Sequence, residues 1–290
     1  MEKKNYKGLR ILLIVIAVIL IALIAARAWL GGLLGKSNYV KDDDVQVNQE
    51  ALETETERQI HPEDVYDLSG VTPASDEEVE NTYTLLVIGG ASPEEEESGG
   101  RKDADAVITM TINHNSGEVI LYSFHTDMYV EFPEGGGGRL GNAYAVGGGP
   151  LLTQVMEKNY GIRINNYACI SLKDVAREIN MPEFEKLDIS RDGLQVVKEL
   201  VYSLNAVGPV KVASYVASLL PFVTHNLDDQ EMMRIIMQIP RIIPYYGVEG
   251  MMPGEEPYQE IDNYIVPDAK VLSEDFKARI YIKGEEEAQT

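Results

Sequence analysis

Gly147-Gly148-Gly149 stands directly before Pro150, and Pro150–Asn159 reads as a helix with proline in its first turn. A helix start carries unpaired backbone N–H groups and the positive end of the helix dipole, so it attracts anions. Earlier, Arg139 follows the run Gly135–Gly138, which reads as a turn or surface loop. Asp105 and Asp127 stand at the ends of strand-like stretches, positions where a hard cation could be held and where loop or capping aspartates are also common. The four glutamates Glu94–Glu97 oppose an anion nearby unless metal ions intervene, and a solvated charge run is the alternative reading.

Positioning such groups requires a framework. Tyr83–Ile88 is a short apolar run ended by Gly89-Gly90 and predicts a buried strand. Ala106–Asn113 and Glu118–Ser123 flank Asn115-Ser116-Gly117 and predict a hairpin. Gly161 ends the Pro150–Asn159 helix, Met128–Phe132 predicts a further short strand, Ile164–Ser171 another, and Leu172–Ile179 a helix. Helices follow at about 194–206, 209–221 and 228–239, the last with Asp228-Asp229 at its N-terminus. Their apolar residues, such as Leu194, Val197, Val201 and Leu204, recur at helical spacing and face a core or line a lipid groove. Tyr264–Val266 and Ile280–Ile282 read as strands. The expected fold class is α/β, with α+β as the variant: a mixed central β-sheet flanked by helices, one core over 82–284, and an acidic tail at 285–290.

The chain has 290 residues, with 25 Lys and Arg against 47 Asp and Glu, a net charge of −22. That balance argues against nucleic acid as a partner, because phosphate backbones require clustered cations. The charge is unevenly spread. Lys3, Lys4, Lys7 and Arg10 precede Ile11–Ala26, sixteen apolar residues without a charge, and the apolar character continues past Arg27 to Leu34. About 20 such residues span a bilayer. The expectation is a cytoplasmic tip at 1–10 and a single-pass anchor at 11–34, oriented by the positive-inside rule with the acidic remainder outside the cell membrane. Ala26-Arg27-Ala28 has the small-x-small form of a cleavage site, so a removed signal peptide is the alternative. Residues 35–81, rich in acids and poor in large apolar side chains, predict an extended stalk. Cys169 is the sole cysteine, which excludes an intramolecular disulfide.

In this order the segments resemble the LytR-CpsA-Psr (LCP) family of Gram-positive cell envelopes. Tyr83–Gly90 (YTLLVIGG) is similar to the family's opening strand. Asp105–His114 (DAVITMTINH) resembles the strand after its Arg-x-Asp motif. Ser123–Val130 (SFHTDMYV) takes the place of Ser-x-Pro-Arg-Asp-Thr-x-Val, and Arg139–Gly148 (RLGNAYAVGG) that of Lys-Ile-Asn-x-Ala-Tyr-x-x-Gly-Gly. Thr224-His225-Asn226-Leu227 resembles a Thr-Asn-Leu signature, and Arg191–Gln195 an Arg-x-x-Arg-Gln motif.

The resemblance implies transfer of a glycopolymer from a polyprenyl-pyrophosphate carrier to peptidoglycan. It implies Asp105, Asp127 and Arg191 as catalytic residues, with Mg²⁺ held by Asp105 and Asp127. Arg101, Lys102, Arg139, Asn142, Gly147 and Gly148 would bind the phosphates and lipid head. Three positions where the family keeps arginine hold Asp103, Thr126 and Leu194. Two functions stay open on this basis. One is a phosphotransferase with reduced or lost catalysis. The other is a non-catalytic paralogue in cell-wall assembly that binds lipid, glycan or protein.

Overall fold

An apolar strand with no polar alternation needs cover on both faces, and the structure supplies it. The computed structural model describes residues 38–45, 47, 65–91, 93, 96, 99–114, 119–178, 218–232, 246–248, 258–261 and 264–281. Seven strands form one sheet in the order β1-β8-β7-β2-β3-β4-β9. They are β1 (Asn38–Tyr39), β2 (Thr82–Gly89), β3 (Ala106–Asn113), β4 (Val119–Phe124), β7 (Asn166–Ile170), β8 (Val223–His225) and β9 (Tyr246–Val248). The sheet is mixed. β2 pairs antiparallel with β3 and parallel with β7, while β3 and β4 form the antiparallel hairpin that their sequence predicts. Two short antiparallel pairs lie apart from it: β5 (Tyr129–Glu131) with β6 (Gly137–Arg139), and β10 (Tyr258–Ile261) with β11 (Tyr264–Pro267).

Alternate residues of each central strand serve two cores. Leu86, Ile88, Val107, Tyr122, Phe124 and Cys169 pack with Leu140, Tyr144, Leu152 and Met156, and with Leu272, Phe276 and Ile280. Leu85, Val87, Ile108, Leu121 and Ala168 pack on the other side with Leu172, Leu220, Leu227 and Met232. The helices that cover these faces are α1 (Asp76–Val79), α2 (Leu140–Tyr160), α3 (Leu172–Glu178) and α4 (Ala269–Ile280). This is the expected α/β arrangement of a mixed sheet between helices.

Four expectations differ from what forms. The helix predicted from Pro150 starts ten residues earlier, at Leu140, and bends at Gly148, whose φ of 64° and ψ of −159° are not helical. Pro150 therefore opens only its second half, while Gly161 ends it in the left-handed conformation as predicted (φ 62°). Part of Gly135–Gly138 is strand, since Gly137–Arg139 pairs with Tyr129–Glu131. Ile280–Ile282 does not start as a strand: Ile280 is the last residue of α4, a helix capped by Asp268, whose carboxylate accepts from the Val271 N–H at 3.1 Å.

The acidic segment expected to be a stalk contributes to the fold. Asn38–Tyr39 pairs in parallel with Thr224–His225. Tyr66 is buried, and its hydroxyl donates to Asn159 Oδ1 at 2.8 Å. Ala74 joins the first core, and Ser75 with Glu78 forms a capping box on α1. The anchor at 11–34, the helices at 194–206 and at most of 209–221, and the tail lie outside the described residues. Leu219 and Leu220 at the end of the second helix are buried, and Leu220 packs in the second core. At the third helix, Asp228 Oδ1 accepts from the Gln230 and Glu231 N–H groups at 2.8 Å, so that predicted start is capped.

Candidate functional site

Three chain segments meet at Gly141. The Ala104 N–H donates to the Gly141 carbonyl at 2.9 Å, and the Gly141 N–H donates to the Thr126 carbonyl at 2.9 Å. The Leu140 N–H reaches the Met128 carbonyl at 2.8 Å. A Cβ on residue 141 would stand 2.9 Å from the Ala104 oxygen and 3.1 Å from Thr126 Cβ, so the approach depends on glycine. This junction brings the loop bearing Arg101, Lys102, Asp103 and Asp105 beside the His125–Asp127 segment and the start of α2, with Arg139 and Asn142.

Asp105 is exposed, and its N–H donates to the Gly89 carbonyl at the end of β2 (2.8 Å). Asp127 is half-buried. Its carbonyl accepts from the Ile265 N–H at 3.1 Å, which ties it to β11. Its carboxylate lies 3.4 Å from Arg139 Nε and 3.9 Å from His125 Nδ1. Register places Arg139 opposite Tyr129 across β5 and β6, and its guanidinium sits 5.4 Å over the Tyr264 ring. The angle to Asp127 does not make a hydrogen bond, so the buried Nε is left without one. Three residues on, Asn142 Nδ2 donates to Asp103 Oδ1 at 3.1 Å, while its buried Oδ1 has no partner. An unsatisfied donor and an unsatisfied acceptor thus lie on either side of Gly141. Buried polar atoms seldom go unpaired, because each costs about 1–3 kcal/mol.

The Gly147–Gly149 element forms the second part of the site. At the Gly148 bend, a Cβ would meet Arg101 Nη1 at 2.9 Å and Val45 Cγ1 at 3.0 Å. The guanidinium of Arg101 therefore lies against the backbone where the second half of α2 begins. Lys102 is exposed. Arg191 lies outside the described residues; of the others, Arg139 approaches Asp127, Asn142 bonds to Asp103, and Arg101 rests on Gly148.

Behind Arg101 is a buried polar chain whose function the sequence left unassigned. Tyr144 Oη donates to Glu96 Oε1 at 2.7 Å and stands 3.0 Å from Cys169 Sγ. Burial raises the Glu96 carboxyl above its ordinary range, against the opposing pull of Tyr144 and Arg101. Burial pushes the Cys169 thiol up to about 12, so it is an inert thiol at neutral pH. Glu96 belongs to the four-glutamate run, and its partial burial is a tertiary contact that no local pattern signals.

Among the described residues, no three His, Cys, Asp or Glu side chains stand together as a metal cage. Mg²⁺ needs less than that, since one or two carboxylates with substrate phosphates and water complete its shell. Asp105, Asp127 and Asn142 carry oxygen atoms of the type Mg²⁺ prefers, each on one of the segments that meet at Gly141. A cavity of about 620 Å³ lies elsewhere, lined by residues that include Asp67, Tyr258, Pro267 and Lys270, and it takes in none of these groups.

The fold and its junction define a mixed α/β domain in which two loops and the start of α2 meet beside the end of β2 and the start of β3. The structure of TagV from B. subtilis has the same fold, with a TM-score of 0.54 over 69% of this chain and 97% of that one at 15% identity. Residues 40–180 of the chain match the model of the LytR_cpsA_psr family. The chain is 26% identical over 111 residues to the regulatory protein MsrR of Staphylococcus aureus, covering 38% of this chain and 33% of MsrR. It is 31% identical over 101 residues to TagU of Enterococcus faecalis, a polyisoprenyl-teichoic acid–peptidoglycan teichoic acid transferase, covering 34% of this chain and 30% of TagU. The matches thus span about a third of these relatives' length.

Proposed function

We propose that this protein is anchored in the cell membrane by residues 11–34. Its external domain binds the phosphate-linked end of a polyprenyl-carried glycopolymer, and the transfer of that polymer to peptidoglycan is reduced or lost. The observation that carries the binding is the unsatisfied pair at Arg139 Nε and Asn142 Oδ1. A phosphate oxygen satisfies the donor, and a sugar hydroxyl, water or hydrated cation satisfies the acceptor. Arg101, resting on the Gly148 bend, supplies a second cation at a helix start, where backbone N–H groups also favour an anion. If Mg²⁺ enters with the substrate, Asp105 and Asp127 hold it, and it neutralises charge on the phosphates.

Reduced catalysis rests on how the cations are used. Arg139 is already close to Asp127 and stacked on Tyr264, and Thr126, at a position where the family carries arginine, is buried. Phosphoryl transfer is mostly positioning and charge stabilisation, so each missing arginine lowers the rate steeply.

The test uses the full chain in detergent or vesicles with a polyprenyl-pyrophosphate glycan and Mg²⁺. Saturable binding is expected, weakened about 10- to 100-fold in Arg139→Gln and in Arg101→Ala, as befits a lost charge-assisted hydrogen bond. Release of lipid phosphate is expected to be far slower than that by TagU of Enterococcus faecalis. Absence of binding overturns the reading. Turnover matching TagU overturns the claim of reduced catalysis and leaves the site intact.

A further inference from the structure

The chain just after the apolar run is built into the sheet. Leu34 ends that run, and Asn38 is already the first residue of β1, the outermost strand. Several bonds fix this edge. The Val40 N–H donates to the His225 carbonyl at 2.9 Å. Asn38 Nδ2 donates to the Val223 carbonyl at 3.3 Å, and Asp42 accepts from Asn226 Nδ2 at 3.2 Å. The same segment reaches the candidate site, with Val45 Cγ1 beside the Gly148 bend and Arg101. Two of the large apolar side chains exposed on the described surface lie here, Tyr39 (49%) and Val47 (46%).

Four Cα steps separate Leu34 from Asn38, so the edge strand starts at most ~14 Å from the end of the apolar run. A domain on a long stalk would take any orientation above a membrane. A domain whose edge strand is paired four residues from the anchor cannot.

We propose that the β1–β8 edge is the membrane-facing edge of this domain. Tyr39 and Val47 then sit at the level of the lipid headgroups, with Arg101 and the Gly148 bend on the side of phosphates carried in the bilayer. The inference rests on the reading of residues 11–34 as an uncleaved anchor. Tyrosine suits the interface, with its ring among acyl chain ends and its hydroxyl in water. The opposite side of the sheet is held away: β4 is five strand spacings from β1, ~24 Å. α4 packs over that side, where Tyr122 Oη of β4 donates to Asp275 Oδ2 at 3.3 Å.

The experiment places a fluorescent probe on the full chain at Lys41→Cys or at Glu274→Cys, both exposed positions, with Cys169 left buried. Each labelled protein is reconstituted in vesicles of phosphatidylglycerol and phosphatidylethanolamine that contain a headgroup-nitroxide lipid. Quenching at position 41 is expected to exceed that at 274 several-fold. Equal quenching, or more at 274, overturns the proposal. Flotation after an alkaline wash separates the two readings. A chain that fails to float with the vesicles overturns the anchor itself, whereas one that floats with equal quenching overturns only the orientation.

Discussion

A methyl group at position 141 would press on the Ala104 carbonyl and on Thr126 at once. Neither contact is the far end of a flexible side chain, so Gly141→Ala must push the Arg101–Asp105 loop or the His125–Asp127 segment outward. The expected cost is about 1–3 kcal/mol in urea unfolding, typical of overpacking a close contact. Weaker phosphate binding accompanies it, because Asp103, Asp105 and Asn142 depend on that junction. Glu96 makes a second prediction at this scale. Its folded pKa is raised, chiefly by burial, so its contribution to stability is full below the unfolded carboxyl value and is lost as pH rises through the folded one. Glu96→Gln keeps an acceptor for Tyr144 and removes the charge. The variant should melt higher than the parent at neutral pH, with the gain vanishing near about pH 4, where the unfolded carboxyl protonates. A pH-independent difference in Tm would exclude the buried carboxylate as its cause.

Among the elements, α2 separates what the sequence shows from what it hides. Pro150 and Gly161 marked the second half of the helix correctly, because both act through local backbone rules. The first half was illegible. Leu140–Gly147 carries two glycines and offers no local helix signal, and it becomes helical because Leu140, Ala143 and Tyr144 are buried in the first core. The C-terminal region failed differently. Ile280-Tyr281-Ile282 matches a strand locally, yet Ala269, Leu272, Phe276 and Ile280 recur at helical spacing and were the stronger signal. The bend at Gly148 carries its own prediction. Its φ and ψ lie where side chains are strained by roughly 1–3 kcal/mol. Gly148→Ala adds displacement of the Arg101 guanidinium, so it should lose both stability and phosphate affinity. Arg101→Ala should lose affinity and leave the urea midpoint nearly unchanged. Matching stability losses in the two variants would show that Arg101 is chiefly structural.

At the scale of the whole molecule, the acidic segment after the apolar run is the main departure from the sequence reading. Its composition predicts a solvated stalk, and composition cannot report pairing with a strand more than 180 residues away, as Asn38 does with Thr224. Asn226 is the residue that joins the pieces. Its Oδ1 accepts the Tyr167 N–H of β7 at 2.8 Å, while its Nδ2 donates to Asp42. One side chain therefore links the edge segment to β7, two strands in from the edge. Asn226→Ala leaves a β7 N–H without its acceptor and Asp42 without one donor, at a cost of about 1–3 kcal/mol. Much of that loss should fall on the edge, because β2 and β3 keep their full ladders and both cores. Limited trypsin digestion checks this directly, since Lys41 sits within the edge segment. The variant is expected to be cut after Lys41 several-fold faster than the parent, leaving a body that resists further digestion. Unchanged cleavage there would mean that the edge is held by its backbone pairing alone. Rapid loss of the body as well would mean that the edge segment is integral to the fold's stability.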